Sequence, residues 1–316
     1  MSIVNPKIDL VFKKLFGTEK NNQLLKSLVN SILPKDEQVV TLELKNPYNP
    51  SDYINGKITY LDIKATDENG KWYDIEIQVA PYDFFGMRLL FYWAKLYASQ
   101  LKSGQTYDDL RKTIVISLID FNYFKDPKGQ EKYHRRIGLC DLDTKEIYEQ
   151  TDGLELQFVE LKKFKKELPD VHSTLERWIT FINKAHEYTK DNLPKELAND
   201  ENIKNAMEQL EVMYFNDIEK EHYESQEKKY LDKLSYEKQE KLRQEQEQKQ
   251  EKLRQEQEQK QEKLRQEQEQ QNIEKAEQKG EMKKSMEIAK SLKSKNIPTD
   301  IIIETTGLTK DQIDKL

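Results

Sequence analysis

An eleven-residue unit, Glu-Lys-Leu-Arg-Gln-Glu-Gln-Glu-Gln-Lys-Gln, fills positions 240–250, recurs at 251–261 and returns through its first nine residues at 262–270. No glycine or proline interrupts the run, and every residue type in it is a good helix former. Pairs such as Lys241/Glu245, Glu245/Lys249 and Arg243/Glu247 fall one turn apart, where opposite charges support a helix. The pattern predicts one long helix, with the three copies reaching roughly 50 Å at ~1.5 Å per residue. Each copy offers a single large apolar side chain, Leu242, Leu253 or Leu264, so this stretch of the chain cannot build a core. An eleven-residue period favours right-handed supercoiling, but one leucine per repeat makes a poor seam. A solvated spacer helix is the first reading. A coiled-coil homo-oligomer starting from Tyr230, Leu231, Leu234 and Leu242 is the second.

The task of forming a core therefore falls on what precedes the repeat. Of 316 residues 36% are hydrophobic and 35% charged, but nearly all the aromatic core-formers lie before Phe215, so only the first two-thirds can fold around a large interior. The lone cysteine, Cys140, excludes an intramolecular disulfide and suits a reducing compartment. No signal-peptide core and no apolar run long enough to span a bilayer is evident, which predicts a cytoplasmic protein without a membrane partner. The four histidines, His134, His172, His186 and His222, show no metal-ligand spacing.

Strand periodicity brings particular polar residues together. Between Trp72 and Ala80 the positions Tyr73, Ile75, Ile77 and Val79 are apolar, while Asp74, Glu76 and Gln78 fall on the other face. Lys57 to Ala65 alternates in the same way and puts Tyr60, Asp62 and Lys64 on one face. The turn Asp67-Glu68-Asn69-Gly70 joins the two runs as a hairpin. Asp62 and Glu76 then stand on neighbouring strands, where two carboxylates suffice to hold a hard cation such as Mg²⁺ beside a phosphodiester. Acids on the solvent face of a surface hairpin are the plainer account of the same spacing.

A wider pattern adds to this. Asn5-Pro6-Lys7-Ile8-Asp9-Leu10-Val11-Phe12-Lys13-Lys14-Leu15-Phe16-Gly17 is followed by Leu61-Asp62-Ile63-Lys64-Ala65, Gly70 and Ile75-Glu76-Ile77-Gln78. Then come Arg88, Tyr92-Trp93, Leu96-Tyr97, Gln100-Leu101, Gly104 and Tyr107. Over most of residues 1–165 this order resembles the Rpn-type recombination-promoting nucleases, related to transposases, a branch of the PD-(D/E)xK superfamily. The resemblance implies a restriction-endonuclease-like α/β core with a mixed sheet flanked by helices, DNA as substrate, and Mg²⁺ (or Mn²⁺) as cofactor. It matches Asp62 and Glu76 to the two metal-binding acids and Gln78 to the position of the superfamily's lysine. That last match is a departure, because a neutral amide can orient water but carries no charge to the transition state. Lys64, on the strand beside it, is a candidate for the missing cation, against the usual fate of a strand lysine in solvent. Asp9 either pairs with Lys13 four residues on or, as in some relatives of this superfamily, reaches the metal.

The surrounding chain reads as a packed domain. Asn5 and Pro6 signal a helix start, and Ile8, Val11, Phe12, Leu15 and Phe16 make its apolar stripe. Residues 81–102 read as a helix whose aromatics, from Phe84 and Phe85 to Tyr97, are expected in the core, with Arg88 and Gln100 as candidate phosphate contacts. Thr113 to Ile119 reads as a buried strand, and Tyr133–Cys140 with Glu146–Leu161 as a second hairpin. Lys125, Lys128, Lys132, His134, Arg135 and Arg136 form a basic stretch suited either to a DNA backbone or to a solvated edge.

The expected organisation is a nuclease-like domain over 1–167, a helical extension over 168–225, the long charged helix over 226–279 and a small helix-turn-helix-like tail over 280–316 with a Thr309/Gln312 capping box. The expected function is a Mg²⁺-dependent DNA endonuclease promoting recombination. The alternative is a catalytically idle DNA-binding or assembly protein that uses the long helix to associate. A net charge of −6 requires either one to meet DNA through local basic patches.

Overall fold

In the computed structural model, which describes residues 3–49, 59, 60, 62–125 and 131–316, the first apolar stripe folds as α1 (Asp9–Phe16). Asn5 caps a turn instead of the helix. Its Oδ1 accepts from the Lys7 amide at 3.0 Å and its carbonyl from the Ile8 amide at 3.1 Å, so the helix proper starts after them. Helix α2 (Asn22–Ile32) follows, then β1 (Leu42–Lys45), the short pair β2 (Tyr48–Asn49) and β3 (Thr59–Tyr60), β4 (Ile63–Asp67) and β5 (Trp72–Gln78). Gly70 closes the β4–β5 turn at φ 78°, a conformation that favours glycine. The first part of the expected strand from Lys57 falls largely outside the described residues.

Next come α3 (Phe85–Ala98), β6 (Thr113–Ile119), β7 (His134–Gly138) and β8 (Leu154–Glu160). The main sheet is mixed, in the order β1-β4-β5-β6-β8-β7, with β5, β6 and β8 parallel and the outer pairs antiparallel. Ile63 lies opposite Ile75 and Lys64 opposite Asp74. One face of the sheet, with Ile75, Ile77, Ile114, Ile116 and Leu118, shares a core with α1 and α2. On the other face Phe85 and Leu89 of α3 meet Val115, Ile119, Leu156 and Phe158.

The aromatics of α3 divide by side, correcting the expectation that they line the core. Phe85 is buried among Phe121, Tyr123 and Phe158, whereas Phe84 and Phe91 are exposed, because only one flank of a helix can meet a sheet. The basic stretch also finds structural partners. Arg136 pairs with Glu37 and, at 2.7 Å, with Glu155; Arg135 lies 4.7 Å from the Phe124 ring, and His134 bonds Gln157. β7 is three strands removed from β5, at the edge of the sheet. Lys128 lies outside the described residues.

Beyond the sheet, α4 (Thr174–Lys184), α5 (Lys195–Ala198) and α6 (Glu201–Glu211) bury the expected stripes. Ser173 caps α4 through a capping box with Glu176. Trp178 is fully buried, its ring 5.4 Å edge-on to Phe16 and its Nε1 donating to Ser27 Oγ at 3.1 Å. The extension thus continues the α1–α2 core instead of forming its own.

Helix α7 (Asp217–Ser294) runs unbroken through the repeat and through Gly280, whose cost in a helix, ~1 kcal/mol, is too small to end it. By packing, the chain forms two units, Met1–Ser235 and Tyr236–Leu316. In the second, Leu242, Leu253 and Leu264 are each more than half exposed, and Arg243 and Arg254 pair along the helix with Glu240, Glu247, Glu251 and Glu258 at 2.9–3.6 Å. Such exposed pairs each contribute only a few tenths of a kcal/mol. Ala289 of α7 packs with Ile302 of α8 (Thr299–Thr306), Leu308, and Ile313 of α9 (Lys310–Asp314). Gly307 turns at φ 69°, and the Thr309/Gln312 capping box forms. Among the described residues no helix is long and apolar enough to cross a membrane.

Because α4 and α6 complete the core begun by α1 and α2, residues 1–167 expressed alone should show no cooperative thermal transition, while 1–235 should show one. Trp178→Ala should cost ~3–5 kcal/mol in denaturant unfolding of the full chain.

Candidate active site

The alternation that makes β5 a half-apolar strand sends Asp74, Glu76 and Gln78 to the side opposite Tyr73, Ile75 and Ile77, and Asp62 arrives beside them just ahead of β4. Asp62 Oδ2 accepts from the Ile77 amide at 3.1 Å, which fixes its carboxylate against the strand that carries Glu76. Both acids line one cavity of about 440 Å³. The sequence expectation that they converge is met in this geometry.

The cation next to them is Lys13 of α1. Its Nζ lies 3.0 Å from Asp62 and 3.1 Å from Asp9, so a single ammonium joins two carboxylates. The Asp9–Lys13 pair expected on a helix surface is present, but it also reaches into the cavity. Lys64 does not occupy that place. It is buried, with its ammonium 4.9 Å over the Trp72 ring and Asp74 opposite it in the register, and it does not line the cavity. Burial lowers its pKa, and Asp74 only partly counters this. The reason is positional: Lys64 sits two residues further into the sheet than Asp62, under cover, whereas Lys13 approaches the strand end from a helix.

Gln78 is held by α3. Arg88 donates to its Oε1 at 2.9 Å, and since a guanidinium only donates, the amide oxygen must face Arg88 and the NH₂ group is turned away as a donor. Arg88 itself is banked by the rings of Tyr82, Phe85 and Tyr92 at 5.2–5.6 Å. Gln100, the other candidate phosphate contact, is used structurally. Its NH₂ donates to Thr113 Oγ1 and the Arg111 carbonyl, its oxygen accepts from the Arg111 amide, and it is not among the cavity residues.

Two features had no role in the sequence reading. The first is Asp74, fully buried beside Glu76, with neither carboxylate oxygen hydrogen-bonded. The second is the start of α7, which forms a wall of the cavity through Gln226, Lys229, Tyr230 and Lys233. Lys233 donates to the carbonyls of Val79 and Asp120, and Lys7 pairs with buried Asp120 at 3.1 Å. Alternation placed Asp74 on the polar face, but no pattern in the chain joins residue 230 to residue 7.

The electrostatics follow from crowding acids under cover. Burial first, and then Asp9, push Asp62 up to about 6, against the pull of Lys13 and the Ile77 amide. Burial and the charge of Asp62 push Glu76 up to about 8, and burial with both neighbours holds Asp74 well above the usual carboxylate range. Lys13 shows the converse: burial disfavours its charge, but Asp62 and Asp9 outweigh burial and raise it.

These acids are buried and crowd one another, and a divalent cation beside them would offset both effects. Among the described residues no three His, Cys, Asp or Glu side chains converge as a ready cage. Mg²⁺ does not need one, since it binds one or two carboxylates and completes its shell with water and substrate phosphate. The donor set, oxygen without thiolate or imidazole, suits Mg²⁺ or Mn²⁺.

A mixed sheet covered on both faces, with paired acids at one end of a central hairpin, defines a restriction-endonuclease-like α/β protein. The family model described as PD-(D/E)XK nuclease family transposase matches residues 6–240, and the chain belongs to that family. The match takes in the sheet, the helical extension and the part of α7 that walls the cavity. No match is found among curated proteins or solved structures.

Raised acids make the fold sensitive to pH in a definite direction. Above about pH 4 the unfolded chain releases protons that folded Asp62 keeps until about pH 6 and Glu76 until about pH 8, so stability should fall as pH rises through that window. In chelator, the thermal midpoint should drop from pH 5 to pH 8, and Glu76→Gln should flatten that slope. An identical slope in the variant would show that Glu76 is not the proton-holding group.

Proposed function

We propose that this protein is a Mg²⁺-dependent DNA endonuclease, with Asp62 and Glu76 as the ligands of the ion. The observation that carries this reading is the meeting of both acids with Lys13, Gln78 and Arg88 in one cavity, within a chain of nuclease family. When bound, the ion supplies the charge that acidifies water and offsets negative charge gathering on the phosphoryl oxygens. Asp62 is fixed for this by the Ile77 amide and Glu76 by the rigid centre of β5.

The remaining residues have separable tasks. Gln78, with its oxygen tied to Arg88, presents NH₂ as a donor that orients water or a phosphate oxygen; it cannot act as a base. Lys13 supplies the positive charge that the superfamily's lysine would bring, entering from α1 instead of β5. Lys229 of α7 is exposed and lines the same cavity, a local positive point in a chain of net charge −6. Phosphates on either side of the scissile bond are its natural partners.

A role in recombination or in mobile genetic elements extends from the transposase description of the family. Cytoplasmic residence fits the single cysteine. The catalytically idle alternative draws on one feature: Lys13 already neutralises Asp62, so the pair can persist without a metal ion.

Nicking of supercoiled plasmid separates the two. Asp62→Ala or Glu76→Ala should stop Mg²⁺-dependent cleavage with the far-UV spectrum unchanged. Lys13→Ala should lower kcat about 10²-fold, with partial return in Lys13→Arg. Gln78→Ala should slow the reaction and Gln78→Lys be tolerated. Cleavage undiminished in both acid variants would remove this site from consideration, and no Mg²⁺-stimulated nicking by the native chain would favour the idle reading.

A further inference from the structure

Phe84, just ahead of α3, holds a left-handed backbone conformation, φ 61° and ψ 25°, with its side chain 82% exposed. Both features are unfavourable for a bulky apolar residue: the backbone is strained and the ring stands in water. Glycine would be the relaxed choice there. Two residues earlier Tyr82 lines the catalytic cavity and is itself 56% exposed. Its ring lies 5.2 Å from the Arg88 guanidinium, which in turn holds Gln78. One accessible ring, Tyr82, therefore shares the cavity with the acids, and a second, Phe84, stands exposed two residues along the chain. Lys229 of α7 lines the same cavity, so an exposed ring and an exposed ammonium are held in one cleft.

That pairing is the chemistry by which proteins hold unpaired nucleic-acid strands: aromatic rings take the bases and cations take the backbone. A cavity of about 440 Å³ is of the order that encloses one nucleotide-sized group, and a ring can stack on a base there only when that base is unpaired. We infer that Tyr82 and Phe84 are a stacking platform for unpaired bases next to the scissile phosphate, and that the substrate is single-stranded DNA or the single-stranded part of a frayed duplex. The inference rests on the nuclease reading for the place of the phosphate. The exposed apolar row continues along α3 through Met87 and Phe91, which makes a second copy of the chain the competing occupant. Arg88 and Lys229 in the adjoining cavity favour a polyanion instead.

The test uses the full chain in EDTA, so that binding is read without cleavage. A short oligonucleotide carrying one 2-aminopurine is offered as a single strand and as a blunt duplex. The single strand should bind at least tenfold more tightly, with 2-aminopurine fluorescence quenched by stacking. Tyr82→Leu combined with Phe84→Gly should weaken single-strand binding about tenfold or more, abolish the quench and leave duplex binding nearly unchanged. Because glycine relieves the strained φ, Phe84→Gly should melt no lower than the native chain, which separates loss of the platform from loss of the fold. Equal affinity for the two probes, or an unaltered quench in the double variant, overturns the inference. So does a dimer, seen by sedimentation velocity, that Phe84→Gly converts to a monomer.

The two readings fail separately. Plasmid nicking that depends on Asp62 without any single-strand preference would sink the platform and keep the nuclease. A quench that depends on Phe84 without cleavage in any metal would do the reverse.

Discussion

The crowding of buried carboxylates organises this molecule. Asp9, Asp62, Asp74 and Glu76 are gathered at one end of the β4–β5 hairpin, three of them at least four-fifths buried, and Lys13 forms close ion pairs with Asp9 and Asp62 within the cavity. Burying even one carboxylate is costly, and stacking several makes each hold its proton more tightly. The fold tolerates the arrangement because rigid neighbours fix it. Asp62 is tied to a strand amide, Glu76 sits within the parallel ladder of β5 and β6, and α1 is locked beneath by the Phe12, Phe16 and Trp178 rings. Strongly perturbed acids gathered in a cleft mark it as a candidate functional site.

The second consequence concerns α7. Its repeat is solvated and charge-paired, but its first turns belong to the unit that holds the sheet. Lys14 pairs with Glu219 at 2.7 Å, Gln226 accepts from the Leu10 amide, and Lys233 reaches the carbonyls that follow β5 and β6. The helix thus docks along α1, the element that carries Lys13.

How much of this was readable in the chain differs residue by residue. Asp62, Glu76 and Gln78 were readable because strand alternation is strict and the hairpin turn is short, so register follows from local pattern. Arg88 was readable as a polar residue in an apolar helix, although its task, orienting the Gln78 amide, required the two elements to meet. Lys13 was visible only as a helical partner of Asp9, since four-residue spacing reports a helix surface and not what lies across from it. Lys64 was assigned by face alone. Face says which side a residue takes, and depth along the strand decides whether it meets solvent, cavity or a tryptophan ring.

The sequence by itself determined the elements and their periodicities: a hairpin with acids on one side, helices with apolar stripes, and a repeat that can be nothing but helix. These are local properties, set by 2.0- and 3.6-residue periods and by backbone propensity. Only the tertiary structure decided which cation faces the acids, how far their proton affinities rise, and that residues near 230 close a cavity opened by residues near 10. Those outcomes depend on burial and on contacts between distant segments, where the local dielectric and the nearest charge are fixed by packing and leave no trace in the spacing of residues.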